Sequence, residues 1–181
     1  YISALPWLPP YKAELEVWGK EYGDIAFMPG GNELLVSARF ADLYKAEGLT
    51  GLSGFHEVEI MKVIRRGGSH LNAPPPRYYC VSIIRSRAAI DLTASEVIHA
   101  KPVTCNECRA GSIKRWSRIV IEENTWSGED VFEARGLVEI ITSERFKEFF
   151  VRNRVNNGVL VNAAEYAHDF YPWEKNARTG Q

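Results

Sequence analysis

Cysteine is scarce: Cys80, Cys105 and Cys108 are the only three in 181 residues. A secreted disulfide framework would show more cysteines and an even number, so cytoplasmic residence is the expected setting. Long apolar runs are missing too. Nothing approaches the roughly 18 uncharged residues that a helix needs to cross a bilayer, and no membrane partner is expected. Histidine is thin, at four scattered positions, which gives no pattern for a catalytic triad. No Walker loop, GxGxxG run or GxSxG elbow occurs, and each of those chemistries needs its glycines at fixed spacing. His56-Glu57 lacks a second histidine four residues after His56, which excludes a zincin. His99-Ala100-Lys101 carries Lys101 where a zinc deaminase needs its proton-shuttling Glu, and Thr104 where it needs Pro before the first Cys. The expectation is therefore a protein that is not an enzyme.

What is present suits a folded chain. A 45% hydrophobic and 12% aromatic content offsets the entropy of ordering and excludes disorder of the whole chain. The length favours one domain, or two small ones, and a single globular domain over 1–181 is the expectation. The chain opens at Tyr1, and Tyr1 to Pro10 lacks the charged-then-apolar pattern of a signal peptide, so a trimmed start or a piece of a longer protein is expected.

A net charge of −1 conceals a segregation. Residues 1–60 carry a net −5, residues 61–118 a net +8, and residues 119–181 a net −4. Clustered Lys and Arg are what phosphate binding requires, so the middle could be a nucleic-acid footprint. The basic residues come singly or in pairs such as Arg65-Arg66, which favours pairing with acidic neighbours or plain solvation. A nucleic-acid partner is the less favoured reading.

Along the chain, Tyr11 to Tyr22 has helix-forming residues behind a Pro-Pro stop, with Leu15 and Trp18 three apart on one face. After a loop at Pro29-Gly30-Gly31, Glu33 to Val36 reads as a short buried strand. Ser37 then caps a helix through Arg39, Phe40, Leu43 and Tyr44 that stops at Gly48. Glu57 to Ile64 alternates as a strand does, and Arg65 to Pro76 is a break with two glycines and three consecutive prolines. Tyr78 to Ile84, Ala88 to Leu92 and Ile119 to Ile121 carry the β-branched and aromatic content of strands.

A shift of 106 residues superimposes two stretches without a gap. Asp24 falls on Asp130, Gly30 on Gly136, Glu33 on Glu139, Ser37 on Ser143, Arg39 on Arg145, Phe40 on Phe146 and Glu59 on Glu165. Val58 and Ile60 then answer to Val159, Leu160 and Val161. The reading is a pair of related strand–helix–strand modules, 24–60 and 130–166, around a CxxC-bearing segment 77–122. The fold class expected is α+β, with a central, mostly antiparallel sheet flanked by helices.

Cys105-Asn106-Glu107-Cys108 is the one metal-like pattern, since two thiolates three apart on a turn can supply half of a tetrahedral zinc site. Cys80, His99 and His168 are the other candidate ligands; no second CxxC exists. Thr125 to Phe132 sets Trp126 beside Glu129 and Asp130, which makes either a protein-contact loop or a core plug over a capped turn.

These residues resemble a family. TCNEC, WSGEDVFEARGL, TSERFKEFF and AEYAHDF resemble the C-terminal half of the myxobacterial paralogous double-CxxCG motif proteins, several of which look like immunity proteins for polymorphic or contact-dependent toxins. ELLVSARFADLYKAEGLTGL is similar to the middle of those proteins, so the resemblance covers roughly residues 24–170. This chain lacks the first CxxC of that family and has Arg109 in place of the name-giving glycine. Zinc therefore transfers only onto Cys105 and Cys108, as half a site. The resemblance implies a bacterial immunity protein that binds a cognate toxin and blocks it sterically, without catalysis. The contact residues expected are Trp126, Glu129 and Asp130, with a basic strip at Arg109, Lys114 and Arg115. The alternative expectation is a zinc-supported nucleic-acid-binding module using 61–118.

Overall fold

Alternation of exposed and buried positions, rather than helix propensity, decides the first element. In the computed structural model, which describes residues 7–27, 33–67, 71, 73–109 and 111–171, Lys12–Val17 is a strand, β1. Leu15 and Val17, two apart, are buried, while Glu14 and Glu16 are exposed. The helix expected over Tyr11 to Tyr22 is thus corrected. Trp18 lies 68% exposed, not on one face with Leu15. Burying two apolar side chains at a period of two outweighs the few tenths of a kcal/mol per residue by which Glu, Lys and Ala favour helix.

The chain continues with β2 (Ile25–Phe27), β3 (Glu33–Ser37), α1 (Ala38–Ala46), β4 (Leu52–Arg65), β5 (Tyr78–Ala89), β6 (Ile98–His99) and β7 (Ile113–Trp116). It closes with β8 (Val131–Arg135), β9 (Ile140–Thr142), α2 (Glu144–Arg152) and β10 (His168–Asp169). This is an α+β protein with a mixed sheet in the order β1-β4-β5-β3-β2; β8 pairs with β5 and with β9. The β1–β4 pairing is parallel, whereas β4–β5, β5–β3 and β3–β2 are antiparallel. Pro29-Gly30-Gly31 and the Gly68-to-His70 part of the expected break lie outside the described residues.

By contacts the chain divides into two compact units, Tyr1–Ile84 with Thr142–Val159 and Arg85–Ile141 with Leu160–Gln181. In the first, Leu15, Val17, Leu35, Val58, Tyr78 and Cys80 form one buried cluster across the sheet. A second set is aromatic: Phe40 sits 5.7 Å edge-on to Phe149 and 6.4 Å from Phe146, ring centre to ring centre. Helices α1 and α2 pack through these rings. They also exchange contacts, for Arg39 donates to the Asn153 carbonyl (3.1 Å) and Arg145 to the Glu47 carbonyl. Each guanidinium thereby serves an orphan carbonyl at the other helix's C-terminus.

Both helix starts follow expectation. The Oγ atoms of Ser37 and Ser143 each accept from the backbone N–H three residues on, Phe40 and Phe146, at 3.1 Å. Gly48 takes φ +63° just past α1, the left-handed conformation that ends a helix without a Cβ clash.

The second unit is built on Ala88, Ile90, Trp116, Ile119, Phe132, Ala134 and Leu137. It holds a small antiparallel sheet, β10-β7-β6, with His168 opposite Trp116. Two strand expectations are corrected. Tyr78 to Ile84 and Ala88 belong to one strand, β5, which pairs with β8 as well as with β3 and β4. Ile119 to Ile121 contributes a single bridge, Ile90 to Ile121, rather than a strand. The closing strand of the second module is also absent: residues 159–161 are in no sheet, with Val159 88% and Val161 58% exposed.

Candidate functional site

The Trp126 loop is tied from within. Trp126 is 47% exposed, stacks on the buried Phe132 at 6.1 Å, and donates its indole N–H to the Glu129 carbonyl at 3.1 Å. The Glu129 carboxylate closes the turn, accepting from Ser127 N–H (3.3 Å) and Ser86 Oγ–H (3.1 Å). Gly128 bends the loop at φ +96°, where a side chain would strain it. Trp126 is thus half plug and half surface, which merges the two roles the sequence left open. Asp130 is different: at 2% exposure it lies beneath the surface, like Asp24 at 5%. A carboxylate so buried offers nothing to a partner, and the exposed part of this loop is Trp126 to Gly128.

The basic strip does not assemble as one face. Arg109 forms an ion pair with Glu122 and donates to the Ile90 carbonyl (3.2 Å), so its charge is engaged internally. Lys114 and Arg115 are adjacent on β7 and therefore point to opposite sides of it. Elsewhere in the basic segment, Arg66 pairs with Glu16, Arg85 with Glu133 and Arg118 with Glu96. Internal pairing is thus a large part of what the segregated charge does.

Cys105 and Cys108 sit on a tight turn in which Cys108 N–H donates to Cys105 Sγ at 3.3 Å. That hydrogen bond, with the Cys108 side chain and the Glu107 N–H, holds the Cys105 thiol below its ordinary value. Arg109 follows at φ +50°, a left-handed position where glycine is the unstrained residue. Among the described residues no three His, Cys, Asp or Glu side chains gather closely enough to hold a metal. Cys80 is distant in character: buried in the first unit, with its thiol pushed up to about 11 by desolvation and then by Glu33.

The family model described as Immunity protein family (Imm11) matches residues 28–165. The chain belongs to the Imm11 immunity protein family. No curated protein matches it. The matched span takes in α1, α2, the CxxC turn and the Trp126 loop. No described helix of this Imm11 chain is long and apolar enough to cross a membrane.

One cluster escaped the sequence reading. In the second unit Trp116 stacks on His168 at 5.1 Å, meets Phe170 edge-on at 5.7 Å and lies 6.1 Å from Tyr166. The Tyr166 hydroxyl donates to Glu139 at 3.3 Å. The available signal was the His168-x-Phe170 alternation, which puts two rings on one side of extended chain.

Proposed function

We propose that this Imm11 chain binds a cognate protein toxin and neutralises it by covering the toxin's working surface, with no chemistry of its own. The observation that carries this is membership of an immunity family over residues 28–165. The Trp126 loop supports it physically. A large aromatic surface, held by an internal hydrogen-bond set, loses little entropy on docking and is the kind of side chain that dominates interface energetics. Acidic flanks and exposed bases such as Arg115 add electrostatic steering of encounter. A cytoplasmic location and the double-CxxCG affinity remain part of the same reading. Zinc enters it only as an ion held between Cys105, Cys108 and ligands from elsewhere.

Co-expression with the toxin-like gene beside this one tests the proposal. Growth protection with a co-purifying complex is the expected result, and Trp126→Ala, folded as judged by circular dichroism, weakens the complex by about tenfold or more. No protection and no complex from the full-length product would overturn it.

A further inference from the structure

The second unit carries a groove of about 400 Å³, lined by Ile113, Trp116, Val138, Glu139, Phe170 and Tyr171. Its walls are mainly aromatic and aliphatic, and its rim is an apolar patch: Val138 is 69%, Phe170 47% and Tyr171 39% exposed. Two polar features interrupt it. Glu139 has no ion-pair partner among the described residues and accepts one hydrogen bond there, from Tyr166. The indole N–H of Trp116, a residue only 3% exposed, is buried with no acceptor among the described residues.

A half-buried carboxylate with no ion-pair partner among the described residues, in a groove lined by aromatic side chains, is chemistry that favours a cation. Burial holds the Glu139 carboxyl above its ordinary value, opposed by the Tyr166 hydrogen bond and by His168. A docked positive charge would favour the ionised form and pull that value back down. Rings facing a cation add attraction that grows as water is excluded. Arginine suits this groove better than lysine, because its planar guanidinium both stacks on aromatic faces and donates to a carboxylate through a rigid fork. Its long aliphatic stem would cover Val138 and Phe170.

We propose that this groove is a docking pocket for an arginine side chain of the partner protein, with Glu139 as the ion-pair acceptor and Trp116, Phe170 and Tyr171 as its walls. The proposal rests on the immunity reading for the identity of that partner, the toxin, and on the groove alone for its chemistry.

The two dependences separate in one experiment with two arms. In the first, N-acetyl-arginine amide is titrated into the ¹⁵N-labelled protein while the Trp116 indole resonance is followed, with N-acetyl-citrulline amide as the neutral isostere. A saturable shift with arginine, none with citrulline, and a loss of about tenfold in affinity in Glu139→Gln are expected. Phe170→Ala, at an exposed rim position, weakens the probe to a similar degree without touching Glu139. Equal response to citrulline, or unchanged arginine binding in Glu139→Gln, overturns the pocket. In the second arm the toxin recovered by co-expression is titrated with wild type and Glu139→Gln, and about tenfold weaker binding is expected. Toxin bound at full strength by the variant overturns the docking role even if the probe binds. A wild-type chain that takes the probe but no toxin overturns the immunity reading instead.

Discussion

After α1 the chain turns at Gly48 and runs into the 14-residue strand β4. After α2, 106 residues later in every position, it turns at Arg154 and joins no sheet through residue 161. Up to the turn the two segments match closely. Both helices have nine residues, both start on a serine cap, and in both a backbone N–H just past the helix reaches back to the carbonyl five residues earlier, Leu49 to Tyr44 and Val155 to Phe150. They part at Asn156 and Asn157. Asn156 accepts from Asp24 N–H and donates its own backbone N–H to Asp24 Oδ2 at 3.2 Å, while Asn157 Nδ2 donates to the Ile25 carbonyl at 2.6 Å. With Asn157 at φ +60°, the chain is pinned side chain first and cannot continue as a strand. The helix cap is a local device that works wherever its residues recur, whereas a strand needs a neighbour with free ladder groups.

The largest effect on this contrast comes from Asp24. It is buried and accepts from Ser37 Oγ–H (2.7 Å), from Arg39 Nε–H (3.2 Å) and Nη2–H, and from Asn156 N–H. Asp24→Ala removes the shared acceptor of all these bonds at once, leaving the buried Ser37 hydroxyl without it, and is expected to lose about 3 kcal/mol or more in urea unfolding. A loss under 1 kcal/mol would break the claim that Asp24 is the anchor of both segments.

Asn156→Ala removes the side-chain part of the tether after α2, the bonds to Asp24 N–H and the Tyr22 carbonyl. About 1–2 kcal/mol of destabilisation is expected, with amide exchange accelerating at residues 24–25 and leaving the β4–β5 ladder unchanged. Acceleration throughout β4 would mean that the two post-helix segments are not independent.

The two caps sharpen the comparison further. Ser143→Ala should cost about 1 kcal/mol, and Ser37→Ala more, up to about 2 kcal/mol, because Ser37 is buried whereas Ser143 is only half-buried. Equal losses would show that burial adds nothing to the value of the cap.

The smallest effect lies at the turns. Gly48 and Arg154 both hold a left-handed φ, +63° and +48°. Arg154→Gly relieves the Cβ strain and is expected to gain about 0.5–1 kcal/mol in thermal unfolding, whereas Gly48→Ala loses about 1 kcal/mol. A destabilised Arg154→Gly would assign its side chain a contact worth more than that strain.

Much of this architecture could be read from residue order. Ser37 and Phe40, Ser143 and Phe146, and the turn at Gly48 each lie within a few residues of one another. Their hydrogen bonds form as soon as the backbone turns. The apolar stripe of Phe40 and Tyr44 needs no knowledge of what it packs against. The Tyr11 to Tyr22 segment is the opposite case: its residues favour helix, and only the stretch of β4 from Glu59 to Arg65, almost fifty residues on, supplies the ladder that makes it β1.

The candidate surfaces divide in the same way. Trp126 stood out because an aromatic beside carboxylates in a loop is unusual by composition alone. Asp130, two positions from Gly128, looked equally available, and only burial removed it from the surface. Glu139 carried no local mark. Its partners, Trp116, Tyr166 and Phe170, come from segments more than twenty residues away on either side. Residue order thus settled the caps, the turns and the α+β character, because those depend on interactions spanning three to five positions. The pairing of β1, the fate of the chain after α2 and the aromatic groove around Glu139 were settled by folding, because each is a balance of burial and hydrogen bonding among groups that meet only when distant segments do.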